Sequence, residues 1–486
     1  MVQPTTRPQP ASDQPSASTA PTISTLGQLR ASGHQLRTVK QELRHNLLDR
    51  MRAGADAFPG IIGFEQTVLP HLERAIIAGH DVILLGERGQ GKTRLIRTLT
   101  GLLDDWTPAV AGCEINDHPY APACARCQRL AAELGDELPV GWRPRGDRYG
   151  EKLATPDTSV GDLIGDIDPV KVAEGRTLSD PETIHFGLLP RTNRGIFCIN
   201  ELPDLAERIQ VSLLNVLEER DISVRGYALR LPLDVVLLAS ANPEDYTNRG
   251  RIITPLKDRF GAEIRTHYPL SLEAELALIE QESQLAWDGA DPGAVLPDHL
   301  VQVIARFTRL VRASPAIDSR SGVSARFAIA AAEAVAASAV RRAAIAAEPQ
   351  PVARVCDLPA VVSTLRGKVE FEVSEEGREQ EVLDHLLRRG TSDTFRALLG
   401  NADLSGLLAR FSDEGVVETG DLVPAADLLR RIGEVPGLAK IMERLHMTGS
   451  ESPGQAAAAL EFALEGLYLM RRLSKDVVDG GAVYRS

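Results

Sequence analysis

From Leu36 onward, apolar residues recur at helical spacing: Leu36, Val39, Leu43, Leu47 and Met51 share one face. The pattern predicts a helix ending near Gly54, then an Ile61-Ile62-Gly63 turn and a second amphipathic helix to about Gly79. The period then changes. Asp81-Val82-Ile83-Leu84-Leu85 is a short apolar run behind an acid, the form of a strand buried on both faces. Gly195–Ile199 and Val235–Ala239 read the same way, with a helix over Ala206–Glu219 between them. Strands alternating with helices predict an α/β fold, a parallel sheet flanked by helices. Beyond about Leu270 the strand-like runs largely stop. Leu270–Leu285, His299–Ala313 and Ser324–Ala347 predict an all-helical unit, and residues 350–486 read as mostly helical, broken at Gly390, Gly400, Gly406, Gly420 and Pro436. The expected division is a disordered tail (1–35), a core (36–270) with an insert (111–150), a helical lid (271–348) and a helical C-terminal region (349–486) of unassigned role.

Composition narrows the function classes. The first 25 residues hold five prolines and nine Ser/Thr, too little apolar surface to offset the entropy of ordering. With 54 Lys+Arg against 67 Asp+Glu the net charge is −13, which argues against direct nucleic-acid binding. Aromatics at 4% disfavour base-stacking platforms. Five cysteines in 486 residues make no disulfide framework and point to a reducing compartment. Phe327–Val340 is the most apolar long stretch, but it is mostly alanine and carries Glu333, so no membrane span is expected. The N-terminus lacks the apolar core of a secretory signal, and a cytoplasmic location is expected.

The strongest chemical signal is Gly86-Glu87-Arg88-Gly89-Gln90-Gly91-Lys92-Thr93, a complete G-x-x-x-x-G-K-[ST] loop between a predicted strand and a predicted helix. Glycines let backbone N–H groups wrap phosphate oxygens at a helix N-terminus. Lys92 is expected to neutralise the β/γ-phosphates of ATP, and the Thr93 hydroxyl to ligand Mg²⁺. Hydrolysis also needs a carboxylate on a neighbouring strand. Ile196-Phe197-Cys198-Ile199-Asn200-Glu201 supplies Glu201 as general base. Asn200 falls where an acid normally holds the Mg²⁺ shell, and it brings no charge.

Together these residues resemble a AAA+ ATPase, and more narrowly the magnesium-chelatase I subunit and its MoxR-like relatives. The resemblance covers about Phe58 to Leu270, continues loosely to about Ala347, and fades beyond. It implies that Phe58-Pro59-Gly60-Ile61-Ile62-Gly63 lies against adenine, putting Ile62 and Gly63 at the nucleotide. His185–Pro190 through Arg194-Gly195 is similar to the family's approach to its acidic strand. Leu213–Glu219 followed by Ile222-Ser223-Val224 is similar to its helix and hairpin. Ser240-Ala241-Asn242-Pro243 then provides sensor 1 in Asn242, Leu256-Lys257-Asp258-Arg259-Phe260 an arginine finger in Arg259, and Gly322-Val323-Ser324-Ala325-Arg326 sensor 2 in Arg326, with Arg320 an alternative. A finger from a neighbouring subunit implies a homo-oligomeric ring, a hexamer in this family, and the relatives imply a partner with a von Willebrand A domain.

Cys113, His118, Cys124 and Cys127 have the spacing C-x4-H-x5-C-x2-C, four soft ligands that would suit Zn²⁺. The alternative is free thiols in an exposed insert. Cys198 and Cys356 stand alone in apolar surroundings and read as core.

The reading that follows is an ATP-hydrolysing ring motor that remodels a partner protein or a metal-insertion complex. The alternatives are a MoxR-like chaperone with no chelatase role, a AAA+ transcriptional activator, or a nucleotide-dependent scaffold with little turnover. The activator reading is weakened by Leu163-Ile164-Gly165-Asp166-Ile167-Asp168-Pro169 where such activators carry Gly-Ala-Phe-Thr-Gly-Ala.

Overall fold

The computed structural model describes residues 19–168, 170, 173, 183–218, 231–242, 251–286, 293–318, 322–412, 415–447, 452–478 and 480–486. The chain divides into two compact units between His267 and Tyr268.

Among its described residues the first unit has strands β1 (Val82–Leu85), β2 (Trp106–Val110), β3 (Val140–Pro144), β4 (Tyr149–Leu153), β5 (Gly165–Ile167), β6 (Ile184–Phe186), β7 (Gly195–Asn200), β8 (Val235–Ala241) and β9 (Ala262–Arg265). Five of them form one sheet in the order β4-β7-β8-β1-β9, every pairing parallel. β2 with β3, and β5 with β6, make separate antiparallel pairs. The apolar runs follow from a sheet covered on both faces. Successive side chains point to opposite sides. Ile83 and Leu85 therefore enter one core with Phe197, Ile199 and Leu237, while Val82 and Leu84 enter another with Ile196, Cys198 and Leu238. Each such side chain, fully buried, contributes about 1.5–3 kcal/mol. A charge at Ile83, which has no exposed surface, would stand in that core without a partner.

The helix Val39–Ala53 packs on this sheet through polar ties as well as its apolar face. Thr38 caps it by a capping box with Gln41, so the helix begins at Val39 and Leu36 is left 46% exposed. Asp81 accepts from Lys40 Nζ (2.9 Å) and from the Leu237 N–H (2.8 Å). Glu42 receives a two-pronged bond from the buried Arg148 (2.7 and 2.6 Å).

The expected tail, residues 1–35, includes an ordered helix, Leu26–Ala31, capped by Thr25. Leu26 and Leu29 are buried, and Ser24 and Leu26 exchange backbone bonds with Val140 and Leu138. Six residues are too few for a periodic pattern to register, and their apolar partners come from the distant insert.

The second unit is held by one core. Phe307, Phe327 and Val335, from the expected lid, share it with Leu383, Phe462 and Tyr484 from the C-terminal region. Gly390 lets the helix Glu379–Leu399 approach the helix Asp298–Arg312: a Cβ there would lie 3.2 Å from the Phe307 nitrogen. The unit also carries β10 (Val417–Gly420), β11 (Ser474–Val478) and β12 (Gly481–Arg485), antiparallel in the order β10-β12-β11. Among the described residues no helix is long and apolar enough to cross a membrane.

Candidate nucleotide site

β1 sits between β8 and β9, where the chain order of the sheet reverses, and parallel sheets open a crevice at the carboxyl ends of strands at such a point. The loop Gly86–Gly91 occupies that place. Gly89 (φ 71°) and Gly91 (φ 76°) adopt the left-handed backbone that turns consecutive N–H groups toward one concavity. Gly86 has a different reason: a Cβ would lie 1.9 Å from Thr266 Oγ1 and 2.2 Å from Gln90 Oε1. Those two atoms bond each other at 2.7 Å, pinning the loop to the end of β9. The helix Lys92–Thr98 starts at once behind Gly91. Glu87, Arg88 and Thr93 complete the loop.

Lys92 is 7% exposed. Its ammonium donates to the carbonyls of Gly86 (2.5 Å) and Glu87 (2.9 Å) and to Asn242 Oδ1 (2.8 Å). The Asn242 amide nitrogen donates in turn to Glu201 Oε2 at 2.7 Å. An ammonium only donates and a carboxylate only accepts, so the two ends fix which way the amide faces. The result is a continuous polar chain from Lys92 through Asn242 to Glu201. Glu201 itself has φ 54°, an uncommon conformation for a residue with a side chain, reached directly at the end of β7.

Asn200 is 8% exposed, and its Oδ1 accepts from Ser240 Oγ (3.1 Å) and Thr93 Oγ1 (3.4 Å). Its nitrogen donates to Glu151 Oε1 at 2.6 Å. Glu151 lies on β4, opposite Cys198 of β7, and pairs with Arg97 (2.9 Å) and Tyr149 (2.9 Å). A carboxylate therefore stands directly behind the uncharged Asn200. Sequence reasoning missed it because β4 is an edge strand, half-buried, and has no apolar run to mark it.

The segment expected against adenine lies between two helices, with Phe58 buried and Ile62 and Gly63 half-buried; Gly63 has φ 81° and its N–H bonds Glu65. Arg259 ends the helix Thr254–Arg259 and is 37% exposed, pairing with Glu218 (3.2 Å) and Asp258 (3.0 Å). Arg326 is exposed in the first turn of the helix Ala325–Ala346, in the second unit. Arg320, Glu219, Ile222–Val224 and Pro243 lie outside the described residues.

In the insert, the sulfur atoms of Cys113, Cys124 and Cys127 gather with a carboxylate oxygen of Asp117, all within 4.8 Å of one another. Hydrogen bonds from Cys124 and Cys127 hold the Cys113 thiol well below its ordinary range. The fourth position expected for His118 is taken by Asp117. His118 is drawn off by His34: the rings stack at 5.4 Å, the Nε2 atoms lie 3.3 Å apart, and His118 Nδ1 accepts from the Tyr120 N–H at 3.0 Å. Both imidazole nitrogens are thus engaged.

Residues 177–259 match the family described as the sigma-54 interaction domain. The chain is 29% identical to the magnesium-chelatase subunit ChlI of Nostoc sp. over 47% of this chain and 58% of that protein. It is 31% identical to the magnesium-chelatase 38 kDa subunit of Cereibacter sphaeroides (46% and 62%) and 30% identical to that of Rhodobacter capsulatus (50% and 63%). The matches therefore span less than two thirds of these relatives. Solved structures that superpose include NtrX from Brucella abortus (TM-score 0.40, 14% identity, 74% of this chain and 68% of that one). Another is a complex between BchI and BchD of magnesium chelatase (TM-score 0.35, 20% identity, 67% and 98%). With its phosphate loop at the end of β1 in the β4-β7-β8-β1-β9 sheet, the chain is similar over about half of its length to the magnesium-chelatase subunits.

Proposed function

We propose that this chain binds ATP with Mg²⁺ at the Gly86–Thr93 loop and hydrolyses it to ADP and phosphate as a cytoplasmic ring motor that remodels a partner. The observation that carries the reading is the Lys92–Asn242–Glu201 chain, which joins the phosphate-binding ammonium to a carboxylate held in an uncommon backbone conformation. Lys92 places positive charge where the β- and γ-phosphates lie, and the glycine N–H groups cradle them. Bound Mg²⁺ offsets the negative charge that builds on the transferred phosphoryl group. Thr93 and Asn200 would hold the metal through their side-chain oxygens, and Glu151, bonded to Asn200, would supply the negative charge that Asn200 lacks. Glu201 takes a proton from the attacking water, and Asn242 keeps that carboxylate aimed.

Arg259 completes the site of the neighbouring subunit. Its exposure and its place at a helix end suit a residue offered outward, and a ring of six is the assembly proposed. Arg326 is the sensor 2 residue that the resemblance implies. The magnesium-chelatase relatives support a metal-insertion complex as the target; a MoxR-like client and a von Willebrand A partner rest on the sequence resemblance alone. The sigma-54 match supports the activator alternative less well, because it begins at residue 177, beyond residues 163–169 where the polymerase-contacting loop would stand.

The test is nucleotide binding and phosphate release by the purified chain. Lys92→Ala should lose tight ATP binding, and Glu201→Gln should bind ATP and fail to turn it over. Unchanged ATP affinity in the first variant, or a normal rate in the second, would overturn the assigned roles.

A further inference from the structure

The insert carries a built site unrelated to the nucleotide. Three sulfur atoms and one carboxylate oxygen lie within 4.8 Å of one another. A tetrahedral Zn²⁺ with arms of ~2.3 Å to sulfur has ligand–ligand edges of about 3.8 Å, so the four atoms need only draw together slightly. Asp117 is 1% exposed, and its Oδ1 is buried with no hydrogen-bond partner among the described residues. Its other oxygen is fixed by the Cys124 N–H at 2.8 Å, which holds the side chain in the cluster. A buried carboxylate oxygen left without a hydrogen-bond partner, on a residue gathered with three sulfur atoms, is a costly arrangement unless a cation completes it.

The backbone around the thiols is arranged for thiolates. The Asp117 N–H donates to Cys113 Sγ (3.3 Å) and the Cys127 N–H to Cys124 Sγ (3.4 Å). Cys124 also caps the ten-residue helix Ala125–Leu134, whose positive end favours a negative sulfur. No disulfide joins the three. The apolar material nearby is slight: Leu26, Val110, Cys127 and Leu138 are the fully buried members of the local cluster. So small a core holds a segment weakly, and a metal is the usual staple in such cases.

We propose that Cys113, Asp117, Cys124 and Cys127 bind one structural Zn²⁺, which fastens the insert and, through it, the N-terminal helix Leu26–Ala31. The connection to that helix runs through Leu138: its carbonyl accepts from the Leu26 N–H at 3.0 Å, and both side chains share the small core with Cys127.

Metal analysis of the full-length chain, purified reduced and without added metal, should find about one Zn²⁺ per chain that a chelator removes. Co²⁺ added to the stripped chain should give the visible absorption of a tetrahedral ion with a thiolate charge-transfer band. Chelation should also expose three cysteines to a maleimide that they resist when loaded. Asp117→Asn should weaken Zn²⁺ by at least about 10-fold, while His118→Asn leaves affinity unchanged. The wild-type measurements stand whether or not a variant folds. A reduced chain that takes up neither ion, a disulfide within the freshly puried cluster, or affinity lost in His118→Asn and kept in Asp117→Asn would overturn the site.

Discussion

Asn200 donates its side-chain amide to Glu151 at 2.6 Å, and because a carboxylate cannot donate, this contact turns the Asn200 oxygen toward Thr93 and Ser240. The pair distributes over two strands what one acid commonly does at the end of one. In the proposed metal site Glu151 would position Asn200 and supply charge, whereas Asn200 would present the oxygen.

Glu151→Gln should therefore raise the Mg²⁺ concentration needed for nucleotide binding by roughly 10-fold, the scale of one charge-assisted hydrogen bond. The double variant Asn200→Asp with Glu151→Gln should recover most of the loss, since the charge has moved forward and the glutamine can donate to it. Titration of a fluorescent nucleotide against Mg²⁺ reads both. Equal Mg²⁺ dependence in wild type and Glu151→Gln would remove Glu151 from the site.

Asn242→Ala should bind ATP nearly as well as wild type, because Lys92 keeps its bonds to Gly86 and Glu87. Turnover should fall by roughly 100-fold or more, because Glu201 loses the donor that aims it. Measuring binding and single-turnover hydrolysis side by side separates the two. A loss of affinity as large as the loss of rate would place Asn242 in ground-state binding instead.

Arg259→Ala should bind ATP normally and hydrolyse it roughly 1,000-fold more slowly if it acts as a finger. Mixed with Lys92→Ala subunits, it should regain activity, since some interfaces then join an intact loop to an intact arginine. Absence of recovery in mixed oligomers confirmed by native mass spectrometry would return Arg259 to its pairing with Glu218 within one chain.

His299 gives a prediction for the second unit. It has no exposed surface, stands at the start of the helix Asp298–Arg312, and packs on Phe462 at 4.7 Å. Neither ring nitrogen has a partner among the described residues, and burial pushes its pKa down to about 3 from 6.5. Below pH 6.5 the unfolded chain takes up a proton that the folded chain refuses. The stability contribution is thus complete above 6.5 and falls as pH drops toward 3, by about 1.4 kcal/mol per unit. Between pH 6.5 and 5, His299→Leu should lose about 2 kcal/mol less than wild type in urea unfolding. Parallel losses would mean that the folded chain protonates this ring.

What the residues determined alone was local. The Val82–Leu85 run reads as a strand because both of its faces are apolar, and the Gly86–Thr93 loop reads as a phosphate cradle because its glycines and lysine lie close together at a fixed spacing. The helix end at Gly54 is legible because its cap lies within the turn it closes, whereas the start is set by the Thr38 cap, which leaves Leu36 outside the helix. The tertiary structure decided the contacts between segments far apart in the chain. Glu151 reaches Asn200 only because β4 pairs with β7, and no spacing in the sequence encodes a parallel register. His118 has the right spacing for a ligand, yet stacking on His34 removes it and leaves Asp117, one residue earlier, facing the sulfurs. Leu26 and Leu29 lie in a short segment with no pattern of its own, ordered by burial against partners that only the fold brings near. Backbone geometry and side-chain chemistry act over one or two turns, whereas burial and charge pairing depend on which strands become neighbours.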